Sequence, residues 1–217
     1  MKKVALIVAG GKGKRMNNTT PKQFLLLNNL PILMHTIMKF SHFEKTVLVL
    51  PEEYLQYWQG LCRQYHFNEQ HVLVIGGENR FQSVKNGLKK IDDKSIVMIH
   101  DGVRPILSKN LLNILIKHSK KGVGVIPVIP IKDSIRRVEG ETSKHIERKN
   151  IYQVQTPQCF RSDDIKNAYK VKFSDFFTDD ASVLENIGGK ITTVLGDKKN
   201  LKITTKEDLK VAEVFIR

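Results

Sequence analysis

Short apolar runs recur along the chain and alternate with stretches in which apolar residues fall on one face of a helix. The runs cover Val4 to Val8, Thr46 to Leu50, His71 to Ile75, Ile96 to Ile99 and Gly122 to Ile129. One intervening helical face is formed by Leu111, Leu112, Leu115 and Ile116. Apolar strands that alternate with amphipathic helices indicate a mostly parallel sheet covered on both faces. The pattern therefore predicts an α/β fold with a doubly wound sheet.

The segment from Lys132 to Gln155 departs from this pattern because it is charged and has little apolar content. A turn signal at Glu139-Gly140-Glu141 follows a short alternating flank from Ser134 to Val138. We expect a β-hairpin that projects from the domain as an arm. Such a hairpin is not stable alone in water, and its simplest partner is the same arm of a second subunit, which predicts a homodimer.

The chain after the arm returns to alternating elements. Helical signals lie around Asp163 to Val171 and Asp179 to Asn186, and a strand is predicted from Ile191 to Leu195. Thr205 and, three residues later, Asp208 have the pattern of a capping box. We therefore expect a last helix that begins after Thr205.

Length and composition limit the class of protein. The 217 residues are 41% hydrophobic and 27% charged, which is typical of a globular domain and excludes collagen, coiled coils and disordered chains. We expect one domain, residues 1–217, with 132–155 as its arm. The first apolar run leads into glycine with no cleavage site, and no run approaches the roughly 20 residues that cross a bilayer. Neither a signal peptide nor a membrane span is expected.

The charge of the chain is unusual. Lys and Arg number 36 against 22 Asp and Glu, which leaves a formal charge of +14. A surface of this kind attracts polyanions, a class that includes nucleic acids, anionic membranes and small phosphorylated metabolites. The two cysteines, Cys62 and Cys159, form neither a CxxC pair nor a disulfide framework, which fits a reducing cytoplasm and gives no zinc site.

A glycine-rich loop directly after the first strand is the strongest local signal of chemistry. It reads Ala9-Gly10-Gly11-Lys12-Gly13-Lys14-Arg15-Met16. Its glycines allow a tight turn that brings backbone N–H groups close to an anion. The spacing is neither that of a Walker A loop nor that of a dinucleotide-binding GxGxxG. The loop indicates a phosphate site, with a plain glycine turn as the alternative.

Two basic side chains next to this loop suit a triphosphate. Arg15 offers a bidentate fork for phosphate oxygens, and Lys22, in Pro21-Lys22-Gln23, offers a compact positive charge. Taken alone, Lys22 would be read as a solvated surface lysine. Its proximity to the glycine loop favours a role in phosphate binding.

Motifs in a fixed order across nearly the whole chain resemble those of the 2-C-methyl-D-erythritol 4-phosphate cytidylyltransferases of the non-mevalonate isoprenoid pathway. After the loop and Pro21-Lys22-Gln23 come Gly76-Gly77-Glu78-Asn79-Arg80-Phe81-Gln82-Ser83-Val84, His100-Asp101-Gly102-Val103-Arg104-Pro105, Thr156-Pro157-Gln158, Thr178-Asp179-Asp180-Ala181-Ser182 and Asn200-Leu201-Lys202-Ile203-Thr204. This order is far more specific than any one motif. The resemblance implies a Rossmann-like nucleotidyltransferase fold.

The resemblance also implies the reaction and its residues. A sugar phosphate oxyanion would attack the α-phosphorus of CTP, so that catalysis relies on positioning and charge neutralisation, and no general base is required. Arg15, Lys22 and Lys202 match the family's basic catalytic residues. The implied nucleotide-binding residues are Ala9, Gly10, Gly11, Gly13, Gly77, Glu78, Ser83, Asp101 and Gly102. The implied substrate-binding residues are Asp101, Arg104, Ser134, Arg148, Thr156 and Lys202.

A divalent cation and the arm complete the expected site. Mg²⁺ is expected to bridge the phosphates, held largely by the nucleotide, with Asp101 as a candidate protein ligand. Arg148 aligns with a family arginine that reaches across a dimer to the neighbouring subunit's substrate. Ser134 stands where the family usually has threonine, which keeps the hydroxyl.

Several residues also have structural interpretations. Gly76-Gly77 could be a plain strand-to-helix turn, Ser83 a helix-surface serine, and Arg104 an ion-pair partner of Asp101. His100 is expected to be a buried structural histidine. Asp179 and Asp180 are expected to cap a helix and order the pocket wall rather than react.

The chain departs from the usual family pattern at three positions. Gly10 and Gly102 replace common alanines, and Glu78 stands where aspartate is frequent.

A ribitol-5-phosphate cytidylyltransferase shares most of these motifs, although Thr156-Pro157-Gln158 and Arg148 look more like the methylerythritol enzyme. A basic nucleic-acid-binding module is the alternative of another class, but the lysines are scattered and aromatic residues make up only 7%.

Overall fold

The computed structural model describes residues 1–10 and 20–216. The strands are β1 (Lys3–Val8), β2 (Leu26–Leu27), β3 (Leu30–Pro31), β4 (Lys45–Leu50), β5 (Val72–Ile75), β6 (Ile96–Asp101), β7 (Val123–Pro130), β8 (Ile135–Glu139), β9 (Thr142–Ile146), β10 (Tyr152–Val154), β11 (Gln158–Arg161) and β12 (Lys190–Leu195). The α-helices are α1 (Ile32–Met38), α2 (Leu55–Gln64), α3 (Arg80–Leu88), α4 (Lys109–His118), α5 (Ser162–Ala168), α6 (Asp180–Glu185) and α7 (Lys206–Phe215). Short 3₁₀ helices cover Lys22–Phe24 and Glu52–Tyr54.

The central sheet runs in the order β10-β7-β11-β6-β1-β4-β5, and β12 also pairs with β7. The pairs β6–β1, β1–β4, β4–β5 and β12–β7 are parallel, whereas β10 and β11 pair antiparallel with their neighbours. The predicted α/β fold with a mostly parallel sheet is therefore confirmed. The carboxyl ends of β6, β1, β4 and β5 lie along one edge, where a ligand site is expected in such sheets.

Helices cover both faces of the sheet, as the apolar runs predict. Along β1, Ala5 and Ile7 belong to a core with side chains of α1, α2 and α4. Leu6, in contrast, belongs to a second core with side chains of α3, α5 and α6. Because side chains of a strand alternate between its faces, only a strand buried on both sides reads as a continuous apolar run.

The projecting hairpin is shorter than the arm predicted for residues 132–155. Strands β8 and β9 form a separate two-stranded hairpin with mostly exposed residues, and Gly140 has a φ of 59° at its turn. Strand β10, which lies within 132–155, instead pairs with Pro130, Ile129 and Val128 of the central sheet. The projecting part is the β8–β9 hairpin, because the chain rejoins the sheet before Gln155.

Caps fix the starts of the two C-terminal helices. At α7, Thr205 and Asp208 form the predicted capping box. At α6, Asp179 accepts from the backbone N–H of Ser182, and the Ser182 side chain accepts from the backbone of Asp179. Within the described ranges, 1–10 and 20–216, no helix combines the length and apolar character that would allow it to span a membrane.

Candidate active site

A cavity of about 740 Å³ opens at the carboxyl ends of β1, β4, β5 and β6. The predicted site residues that line it are Ala9, Gly10, Lys22, Gly77, Glu78, Ser83, Asp101 and Lys202. These residues are separated by up to 193 positions in sequence (202 − 9), and the parallel strands bring them to one edge. The arrangement is the one expected of a ligand-binding crevice in an open α/β sheet.

The turn between β5 and α3 forms one wall of the cavity. Asn79 caps α3 by accepting from the backbone N–H of Gln82 at 2.8 Å. The Ser83 hydroxyl accepts from the backbone N–H of Gly77 at 3.0 Å, which fixes the turn. A Cβ at Gly77 would lie 2.2 Å from Cγ of Gln82, so this position requires glycine.

A second wall joins β1 to β6 and to the Pro21-Lys22-Gln23 motif. The buried Gln23 side chain donates from Nε2 to the carbonyl of Ala9 at 3.1 Å. Lys22 is therefore held next to the start of the glycine loop. The backbone N–H of Gly102 donates to the Val8 carbonyl, and a Cβ at Gly102 would lie 2.8 Å from that of Ala9. The glycine that replaces a common alanine thus permits close packing of the two strand ends.

Asp101, at the end of β6, is surrounded by three cations. Its Oδ2 lies 3.0 Å from Lys202 Nζ and 3.3 Å from Arg104 Nε, and its Oδ1 lies 3.7 Å from Arg80 Nε. Burial opposes ionisation of Asp101, but the charges of Arg80, Lys202 and Arg104 outweigh it and hold the carboxyl pKa well below its usual range. Asp101 is therefore an anion that organises basic groups at the cavity.

Arg80, the first residue of α3, links this cluster to the start of α6. Its Nη1 and Nη2 donate to Oδ1 and Oδ2 of the fully buried Asp180 at 2.8 and 2.7 Å. Tyr169 Oη also donates to Oδ1 of Asp180, at 2.6 Å. Burial disfavours the guanidinium ion, yet the nearby Asp180 raises the pKa of Arg80 above its ordinary value. This bidentate pair is the strongest kind of side-chain ion pair.

A buried hydrogen-bond network lies behind Asp101. Thr156 Oγ1 accepts from the backbone N–H of Asp101 at 3.0 Å and lies 3.0 Å from Nδ1 of His100. His100 Nε2 lies 3.0 Å from the carbonyl of Arg104. Burial lowers the pKa of His100 to about 4, and of the two neutral tautomers the one with its proton on Nε2 satisfies both contacts. His100 is a buried structural residue, as predicted.

Comparison with known proteins identifies the family. The family model described as 2-C-methyl-D-erythritol 4-phosphate cytidylyltransferase matches residues 3–217. The chain belongs to this family. It is therefore a nucleotidyltransferase, specifically a cytidylyltransferase.

The similarity to known cytidylyltransferases and their solved structures covers nearly the full chain. The enzyme of that name from Azobacteroides pseudotrichonymphae genomovar. CFP2 is 47% identical over 220 residues, with 99% of this chain and 98% of that relative covered. The one from Bacteroides fragilis is 43% identical over 219 residues, with both chains covered completely. The crystal structure of the Francisella tularensis cytidylyltransferase is similar with a TM-score of 0.81 at 31% identity, and covers 99% of this chain and 100% of that one.

Some predicted residues of the cytidylyltransferase lie away from the cavity lining. Arg104 and Thr156 are buried behind it, and Arg104 forms the ion pair with Asp101 that sequence reasoning gave as its structural role. Ser134 and Arg148 lie exposed in the arm segment. Three predicted residues lie outside the described part of the chain: Gly11, Gly13 and Arg15.

Two residues of the cytidylyltransferase site had no role in the sequence prediction. Arg80 was noted only as part of a motif, and its partner Asp180 lies 100 positions away. Asn200 is fully buried, its carbonyl accepts from Arg104 Nη1 at 2.8 Å, and its Nδ2 donates to the Thr156 carbonyl at 2.8 Å. The only sequence signal was that both residues stand next to predicted site residues in the matched motifs.

The acidic residues of the cavity suit a metal ion that is bound mainly by the phosphate oxygens of a nucleotide. Among residues 1–10 and 20–216, no three His, Cys, Asp or Glu side chains cluster as a metal site would require. Asp101 is already paired with Lys202 and Arg104. Phosphate oxygens of a nucleotide suit Mg²⁺, which needs few protein carboxylates when it binds them.

Proposed function

We propose that this chain transfers the cytidylyl group of CTP to 2-C-methyl-D-erythritol 4-phosphate, yielding 4-diphosphocytidyl-2-C-methyl-D-erythritol and pyrophosphate in isoprenoid precursor biosynthesis. Family membership over residues 3–217 supports the substrates. The observation that carries the proposal is the position of Lys22 and Lys202 on one cavity at the carboxyl edge of the sheet. Two cations on one cavity suit a reaction in which two phosphorylated substrates meet.

The reaction requires neutralisation of charge more than acid–base chemistry. An oxygen of the acceptor phosphate forms a bond to the α-phosphorus of CTP, and the bond from that phosphorus to the bridging oxygen breaks as pyrophosphate leaves. The acceptor phosphate is already ionised near neutral pH, so no residue has to remove a proton. Lys22 and Arg15 would neutralise the triphosphate, and Lys202 would hold the acceptor phosphate near the reacting phosphorus.

The β5–α3 turn is the proposed site of the cytosine base. Backbone groups near Gly77 and the hydroxyl of Ser83 would bind its polar edge, and their fixed hydrogen bond supports a preorganised pocket. Glu78 and Asp101 line the same cavity and would meet ribose hydroxyls. Mg²⁺ is proposed to be held by the phosphates, with Asp101 as its candidate protein ligand. When bound, the ion would neutralise charge on the triphosphate.

We further propose a cytoplasmic homodimer that is joined through its arms. The β8–β9 hairpin makes a separate two-stranded sheet, and Val138 is 68% exposed, which supports packing against a second copy. Arg148 and Ser134 would then complete the acceptor site of the neighbouring subunit. Cys62 and Cys159 are both free thiols, which is compatible with a reducing compartment.

The experiment that tests this function is a pyrophosphate-release assay. Each of the four common nucleoside triphosphates is combined with 2-C-methyl-D-erythritol 4-phosphate or with ribitol 5-phosphate. Turnover with CTP and the methylerythritol acceptor alone supports the proposal. Turnover with ribitol 5-phosphate alone would reassign the acceptor, and turnover with neither acceptor would refute the function.

A further inference from the structure

Four charged side chains form a continuous chain from the cavity to the interior. Lys202 pairs with Asp101, Asp101 faces Arg80, and Arg80 pairs with Asp180. Only the last of them lies wholly away from the cavity, since Asp180 is fully buried and is not among its lining residues. In the part of the chain that the structure describes, Arg80 is the cavity-lining side chain that Asp180 contacts.

The distances show that the carboxylates of Asp180 and Asp101 pair with different cations. Arg80 binds Asp180 through both Nη atoms at 2.8 and 2.7 Å, but its Nε is 3.7 Å from Asp101, beyond hydrogen-bond distance. Among the described residues, the cations nearer to Asp101 are Lys202 at 3.0 Å and Arg104 at 3.3 Å. The guanidinium is committed to Asp180, which leaves Asp101 available to the lysine.

We propose that Asp180 is a positioning residue for cytidylyl transfer: it restrains the Arg80 guanidinium, so that Asp101 stays paired with Lys202 and holds this lysine at the cavity. Arg80 would otherwise compete for Asp101, because its Nε already lies 3.7 Å from Oδ1 of that carboxylate. Its bidentate fork can take both carboxylate oxygens, including the Oδ2 that Lys202 contacts, which an ammonium group cannot do. Lys202 would then lose its anchor. The proposal rests on the function given above and adds a residue to it.

A simple electrostatic role makes the opposite prediction. The cluster of Arg80, Arg104, Lys202, Asp101 and Asp180 carries three positive and two negative charges, or +1 in total. Neutralising Asp180 raises this to +2, which by charge alone would favour binding of anionic substrates. The positioning role predicts slower turnover in spite of that gain, because the lysine is misplaced.

The test measures kcat and the KM for CTP in four variants and in the wild type. Asp180→Asn removes the charge and keeps the shape. Arg80→Gln removes the competing guanidinium, and Arg80→Gln/Asp180→Asn combines the two changes. Tyr169→Phe is the structural control, because it removes one hydrogen bond to Asp180 but leaves the ion pair intact. Thermal melting of each variant establishes that it is folded.

We expect Asp180→Asn to lower kcat about 10- to 100-fold, the effect of a small misplacement of a reacting group, while the KM for CTP changes less than about threefold. Tyr169→Phe lowers the melting temperature but leaves kcat unchanged. In the Arg80→Gln background the further change Asp180→Asn alters kcat less than about twofold, because no guanidinium remains to capture Asp101.

Two outcomes overturn the proposal. One is a folded Asp180→Asn variant with unchanged kcat, and the other is an equal loss in both Arg80 backgrounds. If Asp180→Asn does not fold, Asp180→Ser replaces it, since serine also removes the carboxylate that holds Arg80 and can still accept from Tyr169; an unchanged kcat in that variant also overturns the proposal. A wild-type protein that is inactive with CTP and the methylerythritol acceptor refutes the function itself, so the two failures are distinguishable.

Discussion

Nδ1 of the His100 ring lies 3.0 Å from the hydroxyl oxygen of Thr156, at the back of the site. The same hydroxyl accepts from the backbone N–H of Asp101, so the three residues fix the end of β6. In the neutral ring Nδ1 accepts from this hydroxyl, and protonation of Nδ1 would reverse the direction of the hydrogen bond. The geometry of the site is therefore linked to the neutral state of a buried histidine.

This linkage predicts acid destabilisation. Burial lowers the pKa of His100 to about 4 in the folded state, whereas an unfolded histidine titrates near 6.5. Between these values the unfolded chain binds a proton that the folded chain does not, so stability falls as pH falls from about 6.5 to about 4. The full effect is roughly 3 kcal/mol.

Urea unfolding of the wild type and of His100→Gln across this pH range measures the effect. Glutamine can still donate to the Arg104 carbonyl, but it does not titrate. We expect the variant to show a shallower loss of stability with falling pH, while His35 and His42, whose pKa values burial also lowers, act equally in both proteins. Parallel pH profiles would contradict the prediction.

Replacement of either basic residue near the triphosphate is expected to abolish most activity. Lys22→Ala and Arg15→Ala each remove a charge contact worth about 3 to 4 kcal/mol in the transition state, which is a hundredfold or more in rate. Steady-state kinetics measure the loss, and circular dichroism checks the fold. Lys121→Ala, at an exposed lysine before β7, is the control and should keep normal turnover. Near-normal rates in both site variants would refute the triphosphate assignment.

Catalysis is expected to need a divalent cation and no thiol. Chelation should stop turnover, and added Mg²⁺ should restore it, because the triphosphate needs its charge neutralised. Blocking of thiols should leave activity unchanged, since burial raises the pKa of Cys62 to about 11 and that of Cys159 to about 12, which disfavours the reactive thiolate. Full activity in excess chelator would contradict the metal requirement.

The sequence predicted the fold well where the signal was local. The run Val4 to Val8 gave a strand buried on both faces, and Thr205 and Asp208 gave the last helix start. Strand β11 was missed because Gln158 to Arg161 is short and mixes polar with apolar residues, and its role comes from pairing with β6 and β7.

Contacts between distant residues could not be predicted from one sequence. Arg80 and Asp180 meet because α3 and α6 begin at neighbouring places in the fold, although each is an ordinary charged residue within its own helix. The position of β10 in the central sheet likewise depends on pairing with β7. In both cases the contact depends on tertiary packing, which the local pattern of apolar and polar residues does not reveal.

Arg148 is expected to act across the dimer. A mixture of Arg148→Ala and Lys22→Ala subunits should regain activity, because each heterodimer has one site with both wild-type side chains. Each parent homodimer should be nearly inactive. Activity is measured after subunit exchange, with exchange verified on labelled wild-type protein. Normal exchange without recovery would show that Arg148 does not act in the neighbouring site.

The most direct test of the account is phosphorus NMR of the reaction mixture with CTP, Mg²⁺ and 2-C-methyl-D-erythritol 4-phosphate. The wild type is predicted to convert the phosphomonoester signal of the acceptor into a pair of diphosphate signals, with pyrophosphate appearing at the same rate. Lys202→Ala should lack this conversion while remaining folded. A phosphomonoester signal that stays unchanged with the wild-type protein would contradict the account.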